Sequence, residues 1–428
     1  MSSANCTFVP LRRVARIVNG GTPGPAERFW GGNIPWATPV DLNKVDGGWL
    51  TTTDRTITDD GLADGSTLIP AQSVVISSRA PIGYIANSAA PIAFNQGCKG
   101  IVPITHNTNS RFLLYALQSQ IDYLKTLGQG STFLEVGTSQ VACLEIPWTN
   151  PATQFRIADY LDHETTEIDN LIFLLNTMDS LLWERFEATW SERSAEAVRD
   201  FKSVKVRHLV TSLVDGPFGS ALTSSHYSDN GAPVVRLGNI GRMDFKMEPR
   251  AYIPLDHALT LQSHDVHPGD VVIAGLGDAG HPLGRAAVVP PEFGHGIVKA
   301  DCYRARTNSA VTPDFLAWSL SSSPSGNRFR EESRGSTRSR LNLSIVHDTP
   351  VALPDIAIQH KIIEDFKRRS FQAQITHESI QSAIELARER RSALITAAVT
   401  GQIDVTARHK PAAEQLEDDI AQGLHREN

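Results

Sequence analysis

Apolar residues fall into two patterns along this chain: short β-like runs, and two long stretches with heptad spacing. Asn150-Pro151 opens the first long stretch as a helix, asparagine at the N-cap and proline at the first helical position. Leu161, Ile168, Leu175 and Leu182 then recur every seven residues, with Leu171 and Met178 interleaved, which predicts a coiled-coil seam. A second stretch stands 205 residues further on, where Gln359 answers Gln154, Ile362 answers Ile157 and Phe366 answers Leu161. Its seam is Phe366, Ala373, Ile380, Ile384, Ala387 and Leu394, and Thr400-Gly401 ends it with a glycine C-cap.

The two stretches differ in charge. Residues 151–197 carry ten acids and three bases, whereas 355–400 carry seven bases and six acids. Helices of similar length and opposite leaning favour lying side by side, apolar seams facing and flanking charges selecting the partner.

The short runs repeat as well. In residues 1–149 strands are expected at 74–77, 84–86 and 101–104, and a helix over 111–124. The glycine-, proline- and tryptophan-rich front around Phe29, Trp30 and Trp36 is expected to be loop and turn backbone, its aromatics serving a sheet more readily than a ligand. Residues 198–354 repeat this order. Asn33-Ile34-Pro35-Trp36 is echoed by Gly231-Ala232-Pro233-Val234, Asp41-Leu42 by Asn239-Ile240, Val74-Val75-Ile76 by Val271-Val272-Ile273, and Phe112-Leu113 by Phe315-Leu316. The chain is therefore expected to be α+β: two homologous mixed α/β domains (1–149 and 198–354) and two long helices (150–197, and 355–405 with an end strand). The helices would form an antiparallel coiled coil with a pseudo-twofold internal repeat. The charged, apolar-poor tail 406–428 is expected to be disordered.

Composition narrows the function. A chain of 428 residues, 41% hydrophobic and 20% charged, describes an ordinary soluble protein of two or three domains. No apolar run approaches a bilayer span and the start lacks a signal-peptide pattern, so a cytoplasmic location without membrane contact is expected. The four separated cysteines, Cys6, Cys98, Cys143 and Cys302, are expected as reduced thiols. The net charge of −7 sits almost wholly on the first long stretch; residues 198–354 carry seventeen bases against fifteen acids.

Catalytic signatures are missing from the sequence. There is no Gly-x-x-x-x-Gly-Lys-Ser/Thr loop, and Leu276-Gly277-Asp278-Ala279-Gly280 is only a turn-rich fragment. His264-Asp265-Val266-His267 reads as a loop pair rather than a metal site. Asp265 and Asp270 lack the following Glu-x-Lys of a nuclease, and Asn150-Pro151-Ala152 lacks the second proline and aromatic that hold an adenine for methylation. No catalytic residue and no metal ligand is assigned. Binding candidates remain. Arg328, Arg330, Arg334, Arg338 and Arg340 surround Gly335-Ser336-Thr337, where guanidinium forks, hydroxyls and backbone N–H groups suit phosphates and guanine edges. The counterpart in the first half offers Lys125, Gln129, Ser131 and Thr132. Arg79, Lys99 and Arg285 lie beside expected strands, where loops gather into a rim.

Taken together, the pattern resembles the specificity subunit of type I restriction–modification systems. The matching features are Thr22-Pro23 before Ile34-Pro35-Trp36 and Asp41-Leu42, the Gly-Ser-Thr loops at 130 and 335, the Gln-x-x-Ile helix starts at 154 and 359, and the ending from Glu389-Arg390-Arg391 to Val399-Thr400-Gly401. The first helix departs from this, since Glu184-Arg185 is followed by Phe186-Glu187-Ala188 without a Val-Thr-Gly end. The resemblance implies a non-catalytic DNA reader. Two target-recognition domains would each read half of a bipartite, asymmetric site in double-stranded DNA, and the helices would dock two methyltransferase subunits, joined by restriction and translocase subunits. S-adenosylmethionine would belong to the methyltransferase, and ATP and magnesium to the restriction subunit, with no cofactor on this chain. A helix of about 37 residues at about 1.5 Å per residue spans about 55 Å, enough for two heads to address segments about one DNA turn apart. A coiled-coil scaffold that binds proteins and never reads DNA is the alternative.

Overall fold

A computed structural model describes residues 6–105, 107–128, 134–278, 280–333 and 340–405. The chain divides into two compact units, one of Met1–Leu175 with Ser382–Asn428, the other of Asn176–Gln381.

The first unit holds a five-stranded sheet in the order Ala15–Asn19, Cys98–Pro103, Val74–Ser77, Ile85–Ser88, Trp49–Leu50. Val74–Ser77 is buried along its whole length because it is a central strand covered on both faces, so it reads as an unbroken apolar run rather than an alternating one. One cover is the helix Ser110–Gln118, started by the Asn109 side chain, which accepts from the Phe112 N–H. Phe112 and Leu113 are fully buried, each contributing roughly 1.5–3 kcal/mol by leaving water. The single helix expected over 111–124 is in fact two, Ser110–Gln118 and Ile121–Thr126.

A second sheet of this unit runs Arg55–Ile57, Trp30–Ala37, Ile92–Phe94, Leu68–Ile69. The glycine-rich front is thus a strand, contrary to the loop expected. Gly31 at φ +79° takes up a register shift between Trp30 and Ile34, and the strand then pairs in parallel with Ile92–Phe94. Trp36 is 4% exposed.

The second unit repeats this topology, without a counterpart of Trp49–Leu50 among the described residues. Its first sheet is Val210–Asp215, Cys302–Thr307, Val271–Ala274, Ala286–Val288, and its second Tyr252–Ile253, Ala232–Val235, Gly296–Val298, Asp265–Val266. The second sheet again contains one parallel pair, Ala232–Val235 with Gly296–Val298, between antiparallel neighbours. A two-stranded ribbon leads into each long helix: Thr7–Pro10 with Glu145–Trp148, and Ser203–Lys205 with Pro350–Ala352.

The long helices are Pro151–Asp200 and Ile356–Val399. Each is entered over a buried glutamine. Gln154 donates to the Thr149 carbonyl and accepts from the Asn109 N–H; Gln359 donates to the carbonyls of Pro354 and Ala310 and accepts from the Thr312 N–H. Both side chains tie a helix entrance to the cap of the helix covering the sheet.

In each unit the two helical segments run antiparallel. In the second unit Asp179 meets His377 at 2.7 Å, while Phe186 and Trp190, further along, meet Phe366. In the first unit Asp169 pairs with Arg391 at 3.0 Å, and Leu161 shares a core with Ile395, Ala398 and Val399. Leu161, Ile168, Ala373, Ile380, Ile384 and Ala387 are buried, and Leu175, Leu182, Phe366 and Leu394 are half-buried.

The interleaved positions of the first helix need correction. Leu171 and Met178 are 49% and 56% exposed. The seam steps four residues on from each of Leu161, Ile168, Leu175 and Leu182, not three, placing Thr165, Ile172, Asp179 and Phe186 inward. Thr165 is tolerated there because its hydroxyl donates to the Leu161 carbonyl, and Asp179 because it accepts from Gln381 and pairs with His377. Among the described residues no strand follows the second helix: residues 400–405 turn at Gly401, φ +73°, with the Gln402 N–H donating to the Ala397 carbonyl. The tail 406–428 lies outside the described residues. No helix among the described residues is long and apolar enough to cross a membrane.

Candidate nucleic-acid interface

In the first unit the strand Val74–Ser77 delivers Arg79 to its end, and residue 79 forms an isolated bridge with Glu135. Arg79 Nε lies 2.9 Å from Glu135 Oε2 and remains 44% exposed. Lys99 Nζ stands 3.7 Å from the other oxygen of the same carboxylate, with its side chain 7% exposed. Lys99 is therefore an internal counter-charge and not a rim contact as expected. Its strand places it between Val74–Ser77 and Ala15–Asn19, so only its end reaches the surface. Lys125 is exposed beside Asp122, one helical turn away. Gln129, Ser131 and Thr132 lie outside the described residues.

A platform that the sequence did not single out for binding lies on the second sheet of this unit. The indole N–H groups of Trp30 and Trp36 donate to the carbonyls of Gly24 and Gly21, both at 3.0 Å, and the rings meet edge to face at 5.0 Å. The Arg55 guanidinium lies over the Trp30 ring, 3.5 Å from its centroid. A cation opposite a tryptophan on a neighbouring strand is the signal that reveals it, and that signal exists only once the front is known to be a strand.

In the second unit Arg285 needs a different reading. It is 5% exposed, and Nε, Nη1 and Nη2 donate to the carbonyls of Ile240, Leu276 and Leu237 at 2.6, 3.0 and 3.0 Å. It holds two loops together and has no fork left for DNA; burial also pulls its pKa down. These loops wall a cleft of about 500 Å³ lined by Gly238, Gly241, Lys246, Gly277, Asp278 and His281 among others. Asp278 accepts from the N–H groups of Gly280 and His281, and the His281 ring holds its carboxyl below the usual range.

Among the arginines of the second-unit loop, Arg340 pairs with Asp301 at 2.7 Å and lies over the Phe218 ring. Arg328 pairs with Glu332 at 2.6 Å, and Arg330 donates to Asn327 and the Gly326 carbonyl. Arg328 and Arg330 belong to the helix Ser323–Glu332 rather than to a loop. Arg334, Ser336, Thr337 and Arg338 lie outside the described residues. The histidines at 264 and 267 are used separately, one against the Asp215 carbonyl and the other against Asp265. Beneath them Arg304 and Arg306 are paired with Asp265 and Asp270.

Part of the chain is similar to known proteins in sequence, and its fold is similar to solved structures. Residues 5–172 match the family described as the type I restriction modification DNA specificity domain. Over 164 residues, 37% of this chain, it is 34% identical to the type I restriction enzyme MjaIX specificity subunit of Methanocaldococcus jannaschii. Over 203 residues, 47% of this chain, it is 23% identical to the StySPI specificity subunit of Salmonella potsdam. These matches span 38% and 43% of the two relatives' lengths, so the chain covers less than half of either. The fold resembles a chain solved in work on complex assembly and conformational transition of the type I R-M system, with a TM-score of 0.71, 14% identity, and 93% and 98% of the two chains covered. It also resembles the HsdS subunit of Thermoanaerobacter tengcongensis, with a TM-score of 0.52, 15% identity, and 93% and 97% covered.

Proposed function

We propose that the chain is a specificity subunit of the type I restriction–modification family, supported by the DNA specificity domain matched at 5–172 and by the likeness of its fold to solved structures, and that it reads a bipartite, asymmetric DNA site while catalysing no step itself. The observation that carries this reading is the duplication. Two heads share sheet order and the glutamine anchor, yet present different side chains at corresponding positions, as two readers of two different sequences require. Methyltransferase subunits, and restriction subunits beyond them, would supply the chemistry in the cytoplasm, with S-adenosylmethionine on the former and ATP and magnesium on the latter.

Apolar side chains left in solvent on the long helices support protein docking. Leu171, Leu174 and Leu386 are 49–66% exposed in the first unit, and Met178, Leu181 and Phe371 56–68% in the second. Such residues on otherwise polar helices mark partner surfaces. Near-neutral heads fit partners that share the phosphate contacts, so the free chain should show a shallower dependence of affinity on salt than the assembly.

The decisive measurement is single-molecule mapping of N6-methyladenine in cells with and without this gene. A split motif that disappears with the gene is expected. Purified chain incubated with DNA and S-adenosylmethionine should transfer no methyl group. Methylation of unsplit motifs, or activity of the chain alone, would refute the proposal.

A further inference from the structure

The two heads keep one framework, but the edge strand of the second sheet differs between them, and that difference carries chemistry. In the first head Arg55–Ile57 is the edge of the second sheet, bonded on one side only to Trp30–Ala37. Arg55 stands opposite Trp36 in the register, is exposed, and stacks on Trp30. Among the described residues no carboxylate pairs with its guanidinium. In the second head the corresponding register, Val234 opposite Ala251, holds no cation and no tryptophan. Its neighbour Arg250 is already engaged by Glu248 at 3.2 Å and lies near the Tyr252 hydroxyl.

An arginine resting over an indole is restrained by that contact. Little side-chain freedom remains to be lost when its fork binds a planar acceptor pair. The acceptor pair matching two parallel N–H donors in a DNA groove is O6 and N7 of guanine, and the major groove admits a two-stranded β-ribbon. Arg55–Ile57 is the edge strand, bonded on one side only, and Arg55 on it is exposed to such an acceptor pair. We infer that Arg55, seated on Trp30, is a specificity-determining residue that reads a guanine in the half-site addressed by the first head. Trp30 and Trp36, pinned by Gly24 and Gly21, position it.

This inference rests on the DNA-reading role proposed above, and one experiment separates the two. Methylated motifs are mapped in the native host carrying the wild-type gene, Arg55→Ala or Arg55→Lys. Both variants should relax one guanine position in one half of the motif, by about 10- to 100-fold in discrimination, with the other half and the spacer unchanged. Arg55→Lys keeps the charge and the fold while losing the fork, so it decides the matter if Arg55→Ala abolishes methylation altogether. A split motif unchanged by Arg55→Lys, or weakened at every position alike as loss of a phosphate contact would produce, overturns the assignment to guanine and leaves the reader role standing. A wild-type host without a split motif overturns both.

Discussion

Cys98 and Cys302 show at the scale of single residues what burial does to a side chain. They hold the same place in the two heads, opposite Ser77 and Ala274. Burial pushes both thiols up to about 12 from an ordinary 9.0. Unfolded, these groups lose protons above pH 9 while the folded ones keep them, so their contribution to stability is whole below pH 9 and is lost between pH 9 and 12. At pH 8 a thiol reagent should modify the exposed Cys143 quickly, and Cys98 and Cys302 only as the heads unfold. Mass spectrometry of the labelled peptides checks this; equal rates at Cys98 and Cys143 would count against it. Lys99 and Arg285 mark where sequence reading stops at this scale. A cation beside a strand looks the same whether it faces a phosphate or a carbonyl, and only the closure of the 237–241 loop onto Arg285 tells them apart.

At the scale of elements, each head is fastened to its helix by an ion pair, and the pairs have opposite polarity. In the first unit Arg111 on the covering helix meets Asp162 on the long helix at 2.6 Å, and also donates to Gly47, Asn87 and Tyr115. In the second unit the acid is on the covering helix and the base on the long one, Asp314 with Lys367 at 2.7 Å. Their energies should differ. Arg111 is 12% exposed, and its removal strands several buried acceptors, so Arg111→Ala should cost about 2–3 kcal/mol. Lys367 is 60% exposed, and Lys367→Ala should cost no more than about 1 kcal/mol. Denaturant midpoints of the two variants test the order. Heptad spacing made both long helices legible, and the offset of 205 residues made the duplication so. The inward register of the first helix was not legible, because Thr165 and Asp179 stand in the seam while Leu171 and Met178 face solvent. Nor was the strand Trp30–Ala37, whose glycines and proline obey turn statistics until a bulge at Gly31 lets them pair.

For the whole molecule, the proposed role makes the helices a ruler. Pro151–Asp200 has 50 residues and Ile356–Val399 has 44, about 75 and 66 Å at about 1.5 Å per residue. Removing one heptad from each keeps both seams in phase. Such a variant should methylate a motif whose two half-sequences are unchanged and whose spacer is different. Mapping that returns the original spacer would rule the ruler out.

The opposed polarity of the two fastenings has an evolutionary reading. Asp162 lies 51 residues beyond Arg111, well inside the long helix. A recombination event that transplanted one head into the other's seat and broke at the helix entrance would set Arg111 against Lys367, or Asp314 against Asp162. One that broke a dozen residues later would carry the matching charge along. Inherited exchanges between the two halves of this gene are therefore expected to have their junctions inside the helix, downstream of the fastening, rather than at the visible seam between head and rod.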